Sequence, residues 1–266
     1  MRRSNVFWGI LIIVIGFLFL LNSMNILRID VWVLIWPLVL ISAGLWFLLA
    51  PVIFKGKELE TQSLNLPLEG TNKAFVQIQH GAGTLNIKDS SETNTLLNGT
   101  FVGGLDHHIE RSSDITSVKL KIPTDAWWTR MPAMGFEGHR WDMEISPAIP
   151  LELDIDSGAN ESFLDLSKLV VKKLSIDTGA SSTRVLMPEQ AGETFTEIKS
   201  GAASVRLHIP ENVACKIEVE SGIAEIKIDQ NRFPKVNKIY QSSNFDSADN
   251  RAFIKIGTGV GSIVIN

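Results

Sequence analysis

From Thr61 to the C-terminus, apolar and polar residues alternate with a period of two, as in strands with one buried face. Six segments repeat one pattern. They are VQIQHGAGTLNI (Val76–Ile87), LDIDSGANESFLDL (Leu153–Leu166), LSIDTGASSTRV (Leu174–Val185), TEIKSGAASVRL (Thr196–Leu207), IEVESGIAEIKI (Ile217–Ile228) and IKIGTGVGSIVI (Ile254–Ile265). Each centres on a glycine: Gly81, Gly158, Gly179, Gly201, Gly222 and Gly259. Apolar or β-branched residues stand five and three positions before it and, in five copies, four and six after; the Gly158 copy reads as two residues longer. Such a glycine serves a tight reversal by permitting φ > 0 or a close backbone approach. The middle glycines are 21, 22 and 21 residues apart, and Pro188 and Pro210 punctuate two of the units. A period this short predicts a stacked, solenoid-like β domain over 56–266, each unit burying its inward face against its neighbours. A β-sandwich uses the same alternation and stays open as the alternative.

Lys88–Pro150 interrupts the array and contributes further strands near Val118–Ile122 and Trp141–Ile145. Between them, an aromatic-rich insertion at 123–148 concentrates Trp127, Trp128, Met131, Met134, Phe136 and Trp141. The plain reading is a cap over one end of the stack, since terminal repeats need covers. The sharper reading is a partner surface, because Trp and Met are enriched where proteins grip one another. The polar stretch between Asp229 and Arg251 reads as a loop inserted into the last coil.

The pattern changes character before residue 56. Val6–Leu21 is sixteen residues without a charge and Val31–Phe54 is twenty-four. About 20 helical residues cross a bilayer, so residues 1–55 predict a two-helix transmembrane anchor, with helices at about 6–27 and 31–54 and the bilayer as a first partner. No small-x-small cleavage site follows the first run, which argues against a secretory leader. Arg2 and Arg3 precede the first run, Lys55 and Lys57 follow the second, and the loop between holds Arg28 balanced by Asp30. The positive-inside rule then puts both ends, and the β domain, in the cytoplasm of a multi-pass cell-membrane protein, with the extracytoplasmic face as the other possibility.

Charge narrows the function. The chain has 25 basic and 29 acidic residues. With Arg2, Arg3, Arg28 and Asp30 set apart in the apolar segment, 22 and 28 remain for the β domain. A mildly acidic domain lacks the basic face that nucleic-acid binding requires. The single cysteine, Cys215, alternates with Val213, Ile217 and Val219 and so faces inward, and it has no disulfide partner.

No catalytic motif, metal site or cofactor site emerges. Gly257, Gly259 and Gly261 imitate a phosphate loop, but no strand–turn–helix context follows. His107 and His108 are adjacent and point to opposite faces of a strand. Asp154, Asp156, Asp177, Glu218 and Glu220 occupy outward positions before the repeat glycines, where a carbohydrate-active β-helix would place its acids. Lys199, Lys255, Ser175, Gln77 and Gln79 share that face, so a solvated surface explains it better.

Two stretches resemble a known family. VLIWPLVLISAGLWFLL (Val33–Leu49) is similar to the second helix of LiaI/LiaF-like bacterial membrane proteins, with Trp36, Pro37, Leu40 and Gly44 matching a W-P-x-x-L-x-x-x-G core. Ile149–Pro188 resembles the toast-rack, or adhesin-like, β-repeat domain attached to them, most specifically through Leu164–Leu169; the family's G-A-G glycine pair stands at Gly81–Gly83. The resemblance implies a bacterial cell-envelope protein of the envelope-stress or cell-wall-antibiotic response, whose relatives act as membrane-bound negative regulators of two-component systems and not as enzymes. Sequence and resemblance together lead to a non-enzymatic regulator or sensor whose β domain docks a protein partner. A scaffold self-assembling through stacked β units is the alternative, and a carbohydrate-active β-helix enzyme a distant third.

Overall fold

The structure is a computed structural model that describes residues 60–123 and 139–266, together with the helical positions Ile13, Trp36, Pro37, Val39, Leu40, Ile41 and Gly44. The two expected spanning helices and most of the aromatic-rich segment, including Trp127, Trp128, Met131, Met134 and Phe136, lie outside the described residues. Among the described residues no helix is long and apolar enough to cross a membrane.

Residues 60–123 and 139–266 are nearly all β. The strands are β1 (Thr61–Pro67), β2 (Lys73–Asp89), β3 (Thr95–Val102), β4 (Asp106–Ser112), β5 (Ile115–Lys121), β6 (His139–Ile145), β7 (Leu151–Asp165), β8 (Val171–Leu186), β9 (Glu193–His208), β10 (Ala214–Ile228), β11 (Lys235–Val236), β12 (Ile239–Gln241) and β13 (Arg251–Ile265). They form one sheet in the order β1-β3-β6-β2-β7-β8-β9-β13-β10-β12-β11, with the β4–β5 hairpin attached through β5 to β2. The six repeat segments are β2, β7, β8, β9, β13 and β10, all parallel and in register.

Strand length and connection length together dictate the shape of each unit. A straight strand of 15 residues spans about 50 Å. The five residues joining β7 to β8 reach only about 20 Å. Yet β8 starts beside the start of β7, and Leu151 N–H donates to the carbonyl of Val170 at 2.9 Å. Each long strand therefore folds back on itself at its glycine: a first arm leads out, a second arm leads back, and a short return turn enters the next unit. The return turns stack as well, Leu166 N–H donating to Leu186 at 3.0 Å and Met187 N–H to His208 at 2.9 Å.

The inward faces of both arms make one core. Leu153, Ile155, Leu174, Ile176, Ile198, Ile254 and Ile256 come from first arms, and Leu164, Val185, Val205, Leu207, Ile263 and Ile265 from second arms. Cys215 is among the buried residues, and burial pushes its thiol up to about 12, so it is an inert core residue.

The repeat glycines form a column, Gly81–Gly158–Gly179–Gly201–Gly259–Gly222. None of the six has a positive φ. What they provide is close approach: a Cβ on any of the last five would stand 2.6–3.0 Å from the carbonyl oxygen of the preceding glycine in the column. Positive φ occurs two residues further on, at Gly83 (136°) and Gly261 (143°). The glycine pair is therefore present twice, and the sequence reading of a single pair at Gly81–Gly83 missed Gly259–Gly261.

Two further expectations change. The Gly158 unit has no extra residues, since β7 and β8 stay in register from Ala159–Ala180 to Asp165–Leu186. Its inward positions hold Asn160 and Ser162, which satisfy each other at 2.6 Å, with Ser157 at 3.2 Å from Asn160; these buried polar residues broke the apolar pattern. Nor is Asp229–Arg251 a simple insertion in a last coil. β13 leaves sequence order and lies between β9 and β10, putting β10 outside it, with β11 and β12 beyond. The outward positions of β13 hold Phe253, Lys255, Gly257, Val260, Ser262 and Val264, whereas those of β10 hold Lys216, Glu218, Glu220, Ile223, Glu225 and Lys227. The heavily charged strand suits the end of a stack, and the one with Lys255 as the single charge among these positions suits the interior.

Candidate functional site

Cross-strand register builds a groove on the outer face of the first arms. One row runs Lys173, Phe195, Phe253, Lys216 across β8, β9, β13 and β10. The Phe195 and Phe253 rings stack at 5.0 Å, 7° from parallel, and Phe245 meets Phe253 edge-on at 5.0 Å. Phe195 is 50% exposed, so the stack is an open aromatic platform. The next row is Ser175, Glu197, Lys255, Glu218, and the third is Asp177, Lys199, Gly257, Glu220. Lys199 reaches Glu197 at 3.0 Å and Lys255 reaches Glu220 at 3.4 Å. The hydrogen bond that the Lys199 ammonium donates to Glu197 raises it above its ordinary value. β12, paired with β10 at Glu218–Ile239, raises Ile239 at one side, and the groove so formed encloses about 290 Å³.

The arrangement suits binding. A flat aromatic patch between two lysines, followed by rows of mixed sign, can stack an apolar side chain and align charged ones. The carboxylates singled out by sequence are on this side of the sheet but do not converge on a reaction centre. Asp154 accepts a hydrogen bond from Gln77 at 3.2 Å, Asp156 and Asp177 are opposed across β7–β8, and Glu218 and Glu220 on β10 are two strands away from Glu197 on β9. His107 and His108 lie on β4, with His108 paired to Glu110 at 3.0 Å. Among the described residues no group of three His, Cys, Asp or Glu side chains is placed to hold a metal ion.

Trp141 is not on a surface. It is fully buried between β2 and β3, opposite Leu85 and Phe101 in the two registers, and packs edge-on against Phe101 at 5.1 Å and His80 at 5.1 Å. Strand β6 takes its face from its two neighbours, which the local sequence does not name. Sequence reasoning also missed the groove, because Phe195 and Phe253 are 58 positions apart and meet only through the displacement of β13.

His80, 1% exposed beside Trp141, has no hydrogen-bond partner at either ring nitrogen. Burial, with His139 nearby, lowers it to about 4. The folded domain therefore keeps it neutral where the unfolded chain, titrating near 6.5, takes up a proton. Stability present at neutral pH is lost as pH falls from about 6.5 towards 4, by up to about 3 kcal/mol. Thermal melts from pH 7 to pH 4.5 should show this decline, and His80→Leu should flatten it. An unchanged slope in that variant would assign the acid sensitivity to other groups.

Comparison with known proteins fits this geometry. Residues 54–208 match the family model described as the N-terminal domain of toast_rack, DUF2154, and residues 6–48 match the LiaI-LiaF-like transmembrane region. No curated protein matches the chain. Among solved structures, that of a proposed cell adhesion protein from Clostridium sporogenes superposes with a TM-score of 0.70 at 21% identity, covering 78% of this chain and 99% of that one. A proposed adhesin from Bacteroides fragilis aligns with a TM-score of 0.31 at 10% identity, over 77% and 97% of the two chains. The chain belongs to the toast-rack family and joins that β domain to a LiaI-LiaF-like membrane region.

Proposed function

We propose that this chain is a non-enzymatic regulator or sensor of the bacterial cell envelope, held in the membrane by the two apolar runs of residues 1–55 and acting by docking its β domain onto a signalling protein. The observation that carries the reading is the Phe195–Phe253 platform. It is an aromatic surface on the wet side of the sheet, bordered by Lys173 and Lys216 and followed by rows of alternating charge. Packing the core does not require it. The LiaI-LiaF-like region supports a membrane setting, and the absence of convergent acids in the groove favours binding over catalysis. With the β domain on the cytoplasmic side, as the flanking basic residues favour, the partner is the cytoplasmic part of a two-component sensor.

A photo-crosslinking residue placed at Phe195 in the full chain, activated in the native membrane, tests this. The expected product is a covalent adduct with a sensor kinase identified by mass spectrometry. Phe253→Ser should reduce that adduct at least ten-fold, and the same probe at exposed Lys168 should give none. Crosslinks confined to lipid or cell-wall material would overturn the reading.

A further inference from the structure

The two ends of the stack are finished differently. At the β2 end both arms are covered: β5 pairs with Lys73–Gln79 and β6 with Gly83–Asp89. The strands exposed beyond them are blunted, β4 by Asp106, His107, His108, Glu110 and Arg111, and β1 by Pro67. At the β10 end only the first arm is covered, by β12 over Lys216–Glu218. Among the described residues no strand pairs with the outer edge of Val219–Ile228. This edge is apolar where a covered one would be. Ile226 is 37% exposed although its register partner Ile263 is fully buried, and Ile223 is 81% exposed.

We propose that this second arm of β10 pairs edge to edge with the same arm of a second copy, antiparallel, about a two-fold axis through Ile226. A two-fold axis normal to the sheet sets residues of the same face opposite one another, so the axis passes through a residue. On Glu225 it would oppose two glutamates. On Lys227 it would oppose two lysines and set Glu225 against an aspartate, Asp229. On Ile226 it sets Glu225 against Lys227 of the partner subunit, and Lys227 against the partner's Glu225. The same register brings Ala224 onto the partner's Ile228 and Ile226 onto the partner's Ile226. Each cross-strand ion pair replaces the same-strand Glu225–Lys227 contact of 2.8 Å. The free amides and carbonyls of both edges are satisfied together. Because the contact is isologous and the far end of the stack is covered, assembly closes at two copies and forms no filament. So short an edge buries far less than the roughly 800 Å² per partner of a standard interface. The dimer is therefore weak in dilute solution and forms on a membrane, where anchoring raises the local concentration. The inference is independent of the partner docked at Phe195.

Single cysteines introduced by Ala224→Cys, Ile226→Cys and Ile228→Cys in the full chain, oxidised in membrane vesicles, test the register. Cys215 is buried and inert and remains in place. Opposed Cα atoms are about 5 Å apart, whereas a residue four positions out of register is about 13 Å from its own copy. The expected result is a disulfide-linked dimer with Ile226→Cys, at least ten-fold above the other two. Adding Glu225→Lys should lower that yield at least five-fold, and adding Lys227→Glu on top should restore it. Equal yields at all three positions, no dimer at any, or no rescue by the exchange would overturn the proposal.

Discussion

Gly261→Ala is expected to destabilise the β domain by on the order of 4 kcal/mol, lowering the melting temperature of the full chain by about 10 °C. Gly261 lies on β13 between Ala203 and Ala224, in the middle of the stack. Its φ is +143°, a conformation alanine adopts only under strain, and a Cβ there would overlap the Ala203 carbonyl, 1.8 Å from its oxygen. The clash is with backbone on a strand held from both sides, so no side-chain rotation relieves it. Two neighbours on the same strand separate the causes. Gly259→Ala meets the Gly201 oxygen at 2.6 Å without a positive φ, and should cost less than Gly261→Ala. Gly257→Ala meets nothing within 4 Å and should be close to neutral. Melts of the three variants in detergent at neutral pH should fall in that order. Three equal melting temperatures would mean that the column is not held at its close spacing.

The same three glycines show what sequence can convey. Alternation and spacing mark every long strand and locate every fold-back, because period-2 burial and a glycine at a corner are local properties. The reason for the glycine is not local. Close approach depends on which strand lies alongside, and neighbours are settled across the sheet. Hence Gly259–Gly261 looked like one more copy, and the displacement of β13 between β9 and β10 went unseen. The many outward charges of β10 and the single one, Lys255, among the outward positions of β13 from Phe253 to Val264 were legible, but only the register turns that contrast into an order of strands. The groove follows the same logic. Lys173, Phe195, Phe253 and Lys216 form a row only once four strands are placed, and no window of sequence contains them. Asn160 and Ser162 misled in the opposite direction, since buried polar residues that bond each other look, in sequence, like a break in the pattern.

Trp141→Ala is the second substitution with a large expected effect, about 3–5 kcal/mol. The indole is fully buried and touches Phe101 and His80 edge-on, so truncation opens a cavity where β2, β6 and β3 meet. Trp141→Phe should cost much less. It keeps an aromatic ring between Phe101 and His80 and removes an indole N–H that is buried without a hydrogen-bond partner. Alanine should also disturb His80, because water admitted to the cavity would ease protonation of the imidazole and weaken the acid sensitivity described above. Thermal melts of the two variants at pH 7 and pH 4.5 test both effects. The expected pattern is a large loss for alanine at pH 7, a small one for phenylalanine, and a shallower decline with pH for alanine than for the parent chain. If Trp141→Ala instead kept the parental melting temperature, the indole would have to lie outside the core, and the aromatic segment from Trp127 to Trp141 would return as a candidate docking surface.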